Sequence, residues 1–270
     1  MNHSVFIFVA LPCEARPLVQ AWKLKKNSPQ QPFTIYANDE RVVVISGIGK
    51  LAMAAAVAYT MCLYPDALNP VLLNFGIAGH QFFPVGSLYL ADKITDLENT
   101  KNYYPQLTFG DDFFTNSLTT VSKPQINYEG DSLFDMEAAA FYEIATKFNT
   151  NELVHCLKIV SDNSEVSLAN ISEETVIAWI TNKIDEIDSL IYQLLKIRDL
   201  LPKINTDFYE QMIQLVHFSE ASAVKLKQLM QRWQIVMGNS DIKWTDSGAS
   251  TGKELIAWME HQLEQKDFDL

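Results

Sequence analysis

Residues 42–56 have the sequence VVVISGIGKLAMAAA, in which a β-branched run leads through a glycine turn into an alanine-rich segment. Val and Ile favour strands, whereas Ala, Leu and Met favour helices. Glycine allows the tight turn that joins the two elements. A strand that enters a helix in this way is typical of α/β proteins.

The same stretch also fits a dinucleotide-binding fingerprint. Gly47, Gly49 and Ala52 have its G-x-G-x-x-A spacing, and Asp66 stands near the distance expected for an acid that binds a ribose hydroxyl. The motif follows a predicted hairpin, however, instead of the first strand of the chain. Two interpretations stay open, a plain tight turn or a nicotinamide-dependent dehydrogenase.

Short apolar strands alternate with helices over the first 165 residues. We predict strands at 5–11, 33–37, 41–46, 71–75, 87–91, 118–121 and 154–161, and helices at about 15–22, 51–64 and 136–148. This alternation implies an α/β fold whose mostly parallel sheet is covered by helices on both faces.

The pattern becomes helical after about residue 170. Apolar residues spaced by three and four from Val176 to Leu194 predict one long helix that Pro202 terminates. Further helices are predicted at about 208–217, at about 221–237 and from Thr251 onward. We therefore expect an α/β domain at 1–197 and a helical appendage of unknown role at 198–270.

Charge and composition exclude several classes of protein. The 270 residues carry 33 acidic and 21 basic side chains, a net charge of −12, which disfavours binding to nucleic acid or to anionic membranes. Cys13, Cys62 and Cys156 form no close-spaced pair, and no pattern of His, Cys, Asp and Glu indicates a metal. The apolar segment 5–11 is predicted to be a buried strand and not a signal peptide, so we expect a cytoplasmic protein without a metal or cofactor.

Acidic residues follow the two strands that enclose the α/β region. Glu14 lies just past the first strand and Asp162 just past the last, and ligands of parallel sheets gather at the carboxyl ends of the strands. Asp135 and Glu137 begin a predicted helix, where acids are also favoured electrostatically. Each acid alone has such an ordinary explanation. Together, in this order and with the small residues of GIAG at 76–79, they indicate a ligand site.

Five stretches in this order resemble the nucleoside phosphorylase superfamily, and within it the methylthioadenosine/S-adenosylhomocysteine nucleosidases. They are VFIFVALPCEARPLV at 5–19, VVVISGIGKLAMAAA at 42–56, LNFGIAGHQFFPVGSLYLADKITD at 73–96, DMEAAAFYEIA at 135–145 and LKIVSDNSE at 157–165. Short phrases such as SGIGK are weak by themselves, whereas the ordered set with DMEAAA and VSDN is specific.

The resemblance implies a three-layer α/β/α, phosphorylase/hydrolase-like fold around a mixed, largely parallel sheet, assembled as a homodimer or larger homo-oligomer. It implies that Asp162 protonates N7 of a leaving purine, that Glu14 activates the attacking water, and that Glu137 holds the ribose hydroxyls. The other substrate-binding residues that it implies are Met136, Asp135, Ile77, Ala78, Gly79, Val121, Ser122 and Ser161.

The chemistry of N-glycosidic cleavage requires these residue types. Positive charge develops on the sugar and negative charge on the base, as in glycoside hydrolysis. One acid must therefore carry a proton for the leaving base, while another stays ionised beside the sugar.

Some positions depart from the family. Leu73, Asn74 and Phe75 stand where the phosphorylases have an Arg for phosphate, which favours water as the nucleophile. Ile77, Asp135 and Lys158 replace the Ser, Glu and Arg of the nucleosidases, and segment 97–131, which contacts the base in the family, is short. Val121 and Ser122, with Phe113 or Phe114 as stacking partners, are the nearest candidates for that contact.

We therefore expect an N-ribosyl hydrolase that acts on a small-molecule nucleoside of the purine type. A phosphate-dependent purine nucleoside phosphorylase, a catalytically weakened nucleoside-binding protein and the dehydrogenase are the alternatives.

Overall fold

The computed structural model describes residues 3–27, 30–108, 113–125, 128, 130–201, 206–237 and 243–267. The chain forms two compact units, Met1–Asp199 and Leu200–Leu270. No helix among the described residues is long and apolar enough to span a bilayer.

The first unit is built on one mixed sheet. Its strands are β1 (Val5–Val9), β2 (Lys25–Lys26), β3 (Thr34–Ala37), β4 (Arg41–Ile45), β5 (Val71–Gly79), β6 (Leu88–Asp96), β7 (Lys101–Tyr103), β8 (Thr115–Thr120), β9 (Ser132–Asp135) and β10 (Val154–Asp162). Its helices are α1 (Pro12–Ala21), α2 (Lys50–Leu63), α3 (Ala138–Ala145), α4 (Glu173–Thr181) and α5 (Ile184–Leu200).

The centre of the sheet is parallel, in the order β4-β1-β5-β10. Beyond β10, the antiparallel strand β6 is followed by β8 and β9, and β9 returns to β5 through the pair Gly79 and Phe134. Strands β5, β10, β6, β8 and β9 thus form a closed ring. The carboxyl ends of β1, β5 and β10 lie side by side, so the residues that follow them converge.

Helices cover both faces of this sheet. Phe6 and Phe8 project from β1 into a buried cluster with Met53 of α2 and Phe141 of α3. Helices α1 and α4 pack together and contact β4 and β10 respectively. The α/β class with a mixed central sheet is confirmed, and the fully apolar burial of β1 explains its unbroken hydrophobic run.

The structure corrects several element boundaries. β5 and β6 extend to Gly79 and Asp96, beyond the predicted ends at residues 75 and 91. β2, β7 and β9 were not predicted, because each is only two to four residues long. Helix α3 is shorter than the predicted 136–148 at both ends, since it runs from Ala138 to Ala145.

The long helix predicted from Val176 to Leu194 is two helices. The Lys183 amide donates to the Ile180 carbonyl, an i→i+3 bond that tightens the last turn of α4 before α5 begins. The apolar spacing continues through the break, which is why the sequence pattern does not reveal it. Ser172 caps α4 by accepting a hydrogen bond from the Thr175 amide, and Pro202 lies outside the described residues.

The described part of the second unit contains the α-helices α6 (Thr206–Leu215), α7 (Glu220–Met237) and α8 (Gly252–Asp267). Its core contains Met212, Leu226, Leu229, Met230, Trp233, Leu255, Met259 and Leu263. Thr251 and Glu254 cap α8 reciprocally, since each side chain accepts a hydrogen bond from the other residue's amide. Trp258 packs against this core.

Candidate active site

Glu14 is held by three backbone amides at the junction of β1, α1 and β5. Its Oε2 accepts hydrogen bonds from the amides of Ala10 and Leu11 at 2.9 and 2.8 Å, and its Oε1 accepts one from Ile77 at 3.0 Å. Burial raises the pKa of Glu14, while these amides and the charge of Lys158 oppose the rise. A fixed, desolvated carboxyl is thus presented at the end of the parallel sheet.

Gly76 makes this position of Glu14 possible. A Cβ at residue 76 would stand 2.7 Å from Glu14 Oε1, closer than real Cβ contacts allow. The glycine of the GIAG segment therefore serves a close approach between β5 and a carboxylate carried by α1.

Glu137 precedes α3, and its side chain contacts the glycine turn between β4 and α2. Its Oε1 accepts a hydrogen bond of 2.6 Å from the Gly49 amide. Burial and then the charge of Asp135 raise the pKa of Glu137 to about 7, against the opposing effects of Lys158 and the Gly49 amide. The Gly49 amide, which a dinucleotide phosphate would use in the fingerprint interpretation, is thus engaged by a carboxylate.

Asp135 and Lys158 form a buried ion pair behind these acids. Lys158 Nζ lies 2.9 Å from Asp135 Oδ2, and the two side chains are 2% and 0% exposed. Asp135 also accepts hydrogen bonds from the Ala138 amide and the Thr120 hydroxyl. Burial alone would lower the pKa of Lys158, but the charges of Asp135 and Glu137 outweigh it and raise that pKa. Lys158 therefore stays cationic among three acids.

Asp162 ends β10, where a β-bulge between Val160 and Asp162 shifts the register against β5. Ser161 donates a hydrogen bond to Asp162 Oδ1 at 2.5 Å, and Tyr128 donates one to Oδ2. Bulges re-aim side chains near functional sites, and this one directs Asp162 toward the cavity described next.

These acids open onto one cavity of about 200 Å³. The described residues that line it are Ala10, Leu11, Glu14, Ile48, Ile77, Ala78, Gly79, Val121, Pro124, Gln125, Tyr128, Phe134, Asp135, Met136, Glu137, Ser161, Asp162 and Leu168. Four carboxyl groups and no cationic side chain occur in this set. Such an electronegative, partly apolar cavity suits a neutral ligand that becomes cationic during reaction, and it disfavours a phosphate dianion.

The structure brings together all but one of the residues predicted for the site. Ser122 is the exception: its side chain is exposed and bonds Glu98 on the far side of Val121. Val121 lines the cavity, whereas Ser122, in the bend that follows β8, does not. Asp135 lies at the back of the cavity, and both of its carboxylate oxygens are bound by protein groups.

Neither proposed stacking residue lines the cavity. Phe114 is 79% exposed, and its ring centroid lies 6.2 Å from that of Tyr89. Phe113 is also absent from the described lining. The aromatic lining residues are instead Phe134 and Tyr128, which the sequence analysis did not identify. Ile48 was missed as well, because its glycine neighbours suggested a different motif.

His80 follows β5 and is fully buried. Its Nδ1 accepts hydrogen bonds from the amides of Phe82 and Phe83, and its ring stacks on Phe83 at 3.6 Å. Burial lowers the pKa of His80. The residue shapes the turn after GIAG and does not line the cavity.

Comparison with known proteins supports the fold. No protein-family model matches the sequence, and no curated protein matches it. The 5′-methylthioadenosine/S-adenosylhomocysteine nucleosidase of S. pneumoniae, solved with a transition-state inhibitor, is 21% identical, with a TM-score of 0.56 over 71% of this chain and 99% of that chain.

Two further nucleosidase structures have a similar fold. The 5′-methylthioadenosine nucleosidase of Arabidopsis thaliana in its apo form is 20% identical, with a TM-score of 0.54 over 71% of this chain and 97% of that chain. An Asp-to-Asn variant of the Helicobacter pylori enzyme, with 5′-methylthioadenosine in its active site, is 14% identical, with a TM-score of 0.53 over 71% and 99%. At these identities the likeness establishes that this chain shares the fold of these nucleosidase structures.

Proposed function

We propose that the protein is an N-ribosyl hydrolase that releases the base from a purine-type nucleoside with water. The observation that carries the proposal is the convergence of Glu14, Glu137 and Asp162 on one cavity. These three acids come from distant parts of the chain, and ordinary capping roles would not require them to share a cavity. The solved nucleosidases of the same fold support the choice of substrate class.

In this proposal the Asp162 carboxyl group enters the reaction protonated and transfers that proton to N7 of the departing base. Asp162 is almost completely buried, and Ser161 fixes its orientation through Oδ1. Protonation neutralises the charge that develops on the base as the glycosidic bond breaks.

Glu14 orients and deprotonates the water that attacks the anomeric carbon. Three amides hold its carboxyl group, so little reorganisation is needed when the sugar becomes cationic. Glu137 accepts hydrogen bonds from the ribose hydroxyls and positions the sugar against Met136.

Water is favoured over phosphate as the nucleophile by the charge of the described cavity lining. Glu14, Asp135, Glu137 and Asp162 would repel a phosphate dianion, and Lys158 is committed to Asp135. The proposal includes a homo-oligomeric, cytoplasmic enzyme. Sedimentation of the purified chain measures its oligomeric state.

The deciding experiment measures base release from 5′-methylthioadenosine, S-adenosylhomocysteine, inosine and futalosine, with and without phosphate. We expect free base and free sugar in the absence of phosphate. Asp162→Asn and Glu14→Gln should each lower kcat/KM by about 10²–10⁴. Asp66→Asn is the matched control, because Asp66 is exposed and would matter only to a dehydrogenase.

Other outcomes select the alternatives. Sugar 1-phosphate formed only with phosphate would identify a phosphorylase. Nucleoside binding without any base release at high protein concentration would identify a binding protein. Binding of NAD(H) or NADP(H) would support the dehydrogenase interpretation.

A further inference from the structure

Tyr128 lies across the end of the cavity at which the base is proposed to bind. Its hydroxyl donates a hydrogen bond to Asp162 Oδ2 and sits so close to Gly79 that a Cβ there would overlap it. Its ring lies 5.4 Å from that of Phe134 and is tilted by 36°. The side chain is therefore fixed between β5, β9 and β10.

Tyr128 also stands between two cavities. The inner one, of about 200 Å³, contains Glu14 and Glu137. An outer one, of about 700 Å³, is lined by polar groups that include Gln81, Asn163 and Ser164. The residues common to both linings are Pro124, Gln125, Tyr128, Asp162 and Leu168.

In the proposed binding mode, the hydroxyl of Tyr128 and a purine compete for the same side of Asp162. Ser161 occupies Oδ1, and Tyr128 occupies Oδ2. Burial, and then the contact with Asp162, raise the pKa of Tyr128, so the phenol keeps its proton and remains a donor at neutral pH. A base whose N7 edge reaches Asp162 must displace this hydroxyl.

The small volume of the inner cavity also indicates that Tyr128 limits the size of the ligand. Pockets for small ligands are generally about 300–1,000 Å³, so the inner cavity alone is small for a nucleoside with a substituted base. Removing the Tyr128 ring would enlarge the inner cavity on the side that it shares with the outer one.

We propose that Tyr128 is a specificity-determining residue: its hydroxyl competes with the base for Asp162, and its ring excludes purines that carry a large substituent. This inference rests on the proposed function and narrows its substrate range, since it limits the substrates of the wild-type protein to nucleosides with a small, unextended purine.

The test uses two variants of Tyr128 and two of a control tyrosine. Tyr128→Phe removes the competing hydroxyl but keeps the ring, whereas Tyr128→Ala removes both. Tyr104→Phe and Tyr104→Ala are matched controls, because Tyr104 is 64% exposed and lines neither cavity. Calorimetry gives the Kd of adenine, and base release gives kcat/KM for adenosine and N6-benzyladenosine.

We expect Tyr128→Phe to bind adenine about 10-fold more tightly, the effect of removing one competing hydrogen bond to a carboxylate. Tyr128→Ala should raise the ratio of kcat/KM for N6-benzyladenosine to that for adenosine by at least about 10-fold. The Tyr104 variants should change neither quantity. Unchanged or weaker adenine binding by Tyr128→Phe, or an unchanged ratio in Tyr128→Ala, would overturn the inference.

Asp162→Asn, measured in parallel, separates this inference from the proposed function. If the wild type releases base and Asp162→Asn does not, unaltered Tyr128 variants contradict only the role of Tyr128. If the wild type cleaves no nucleoside, the proposed function fails, and the adenine affinities of the wild type and Tyr128→Phe still decide whether the hydroxyl competes.

Discussion

Glu137 links the stability of the protein to pH. Its pKa of about 7 in the folded protein exceeds the ordinary value of 4.5, because of burial and the nearby charge of Asp135. Between these two values Glu137 binds its proton in the folded chain but not in the unfolded chain, so the contribution of this one group to stability is greatest below pH 4.5 and falls as the pH rises toward 7.

We therefore expect the free energy of unfolding to fall between pH 5 and 7.5 by on the order of 2–3 kcal/mol more in the wild type than in Glu137→Gln. The Gln side chain keeps an acceptor for the Gly49 amide but does not titrate. Urea unfolding of both proteins across this range measures the difference. Identical pH profiles would contradict the assigned burial and charge of Glu137.

Lys158 balances part of the negative charge around it. Replacing it with Met leaves Asp135 buried without its cation and close to Glu137, and breaking such a buried pair costs about 3–5 kcal/mol. Denaturant unfolding should show this loss for Lys158→Met, and the double variant Asp135→Asn/Lys158→Met should recover part of it. Lys25→Met, at an exposed position, is the control. A loss below about 1 kcal/mol for Lys158→Met would contradict this account.

Helix α1 and strand β5 approach each other closely where Gly76 faces Glu14. Gly76→Ala would force Glu14 away from the Ile77 amide, since the new Cβ would lie 2.7 Å from Oε1. We expect kcat/KM to fall about 10²-fold, the typical effect of misplacing a reacting group by about an ångström.

A double variant distinguishes this cause from general damage. Because Gly76→Ala acts through Glu14, it should add little to the loss caused by Glu14→Gln in steady-state kinetics. Additive losses would show that Gly76 affects the site by another route, and a thermal melt of each variant checks that the fold is retained.

Local patterns account for the elements that could be predicted from the sequence. Apolar runs, each followed by a glycine or an acid, mark β1, β4 and the first part of β5. Short stretches of sequence therefore predict both these strands and the polar or glycine residues at their carboxyl ends. The four-residue strand β9 has no such pattern, because it is defined by its pairing with Gly79 and with β8.

Contacts between distant residues account for what the sequence did not predict. Tyr128 lies in a segment without hydrophobic periodicity, and its hydrogen bond to Asp162 spans 34 residues. Ser122 was assigned to the site because it follows Val121, but its side chain bonds Glu98. In both cases the deciding contact is tertiary.

At the scale of the whole molecule, the candidate site belongs to one of the two units. All of its described lining residues lie between Ala10 and Leu168, within Met1–Asp199. The second unit has a core of its own, formed by α6, α7 and α8. We therefore expect a chain shortened to residues 1–199 to fold and to release base with kcat/KM within a few-fold of the full chain. Loss of activity in a shortened chain that remains folded would show that the second unit contributes to catalysis.

The central claim is that three distant carboxyl groups act on a single nucleoside, and a crystal structure of Asp162→Asn with 5′-methylthioadenosine tests it most directly. The account predicts the purine N7 edge at residue 162 with Tyr128 turned aside, the ribose hydroxyls on Glu137, and a water between Glu14 and the anomeric carbon. A nucleoside bound elsewhere, or one whose ribose lies beyond the reach of Glu137 and Glu14, would contradict it.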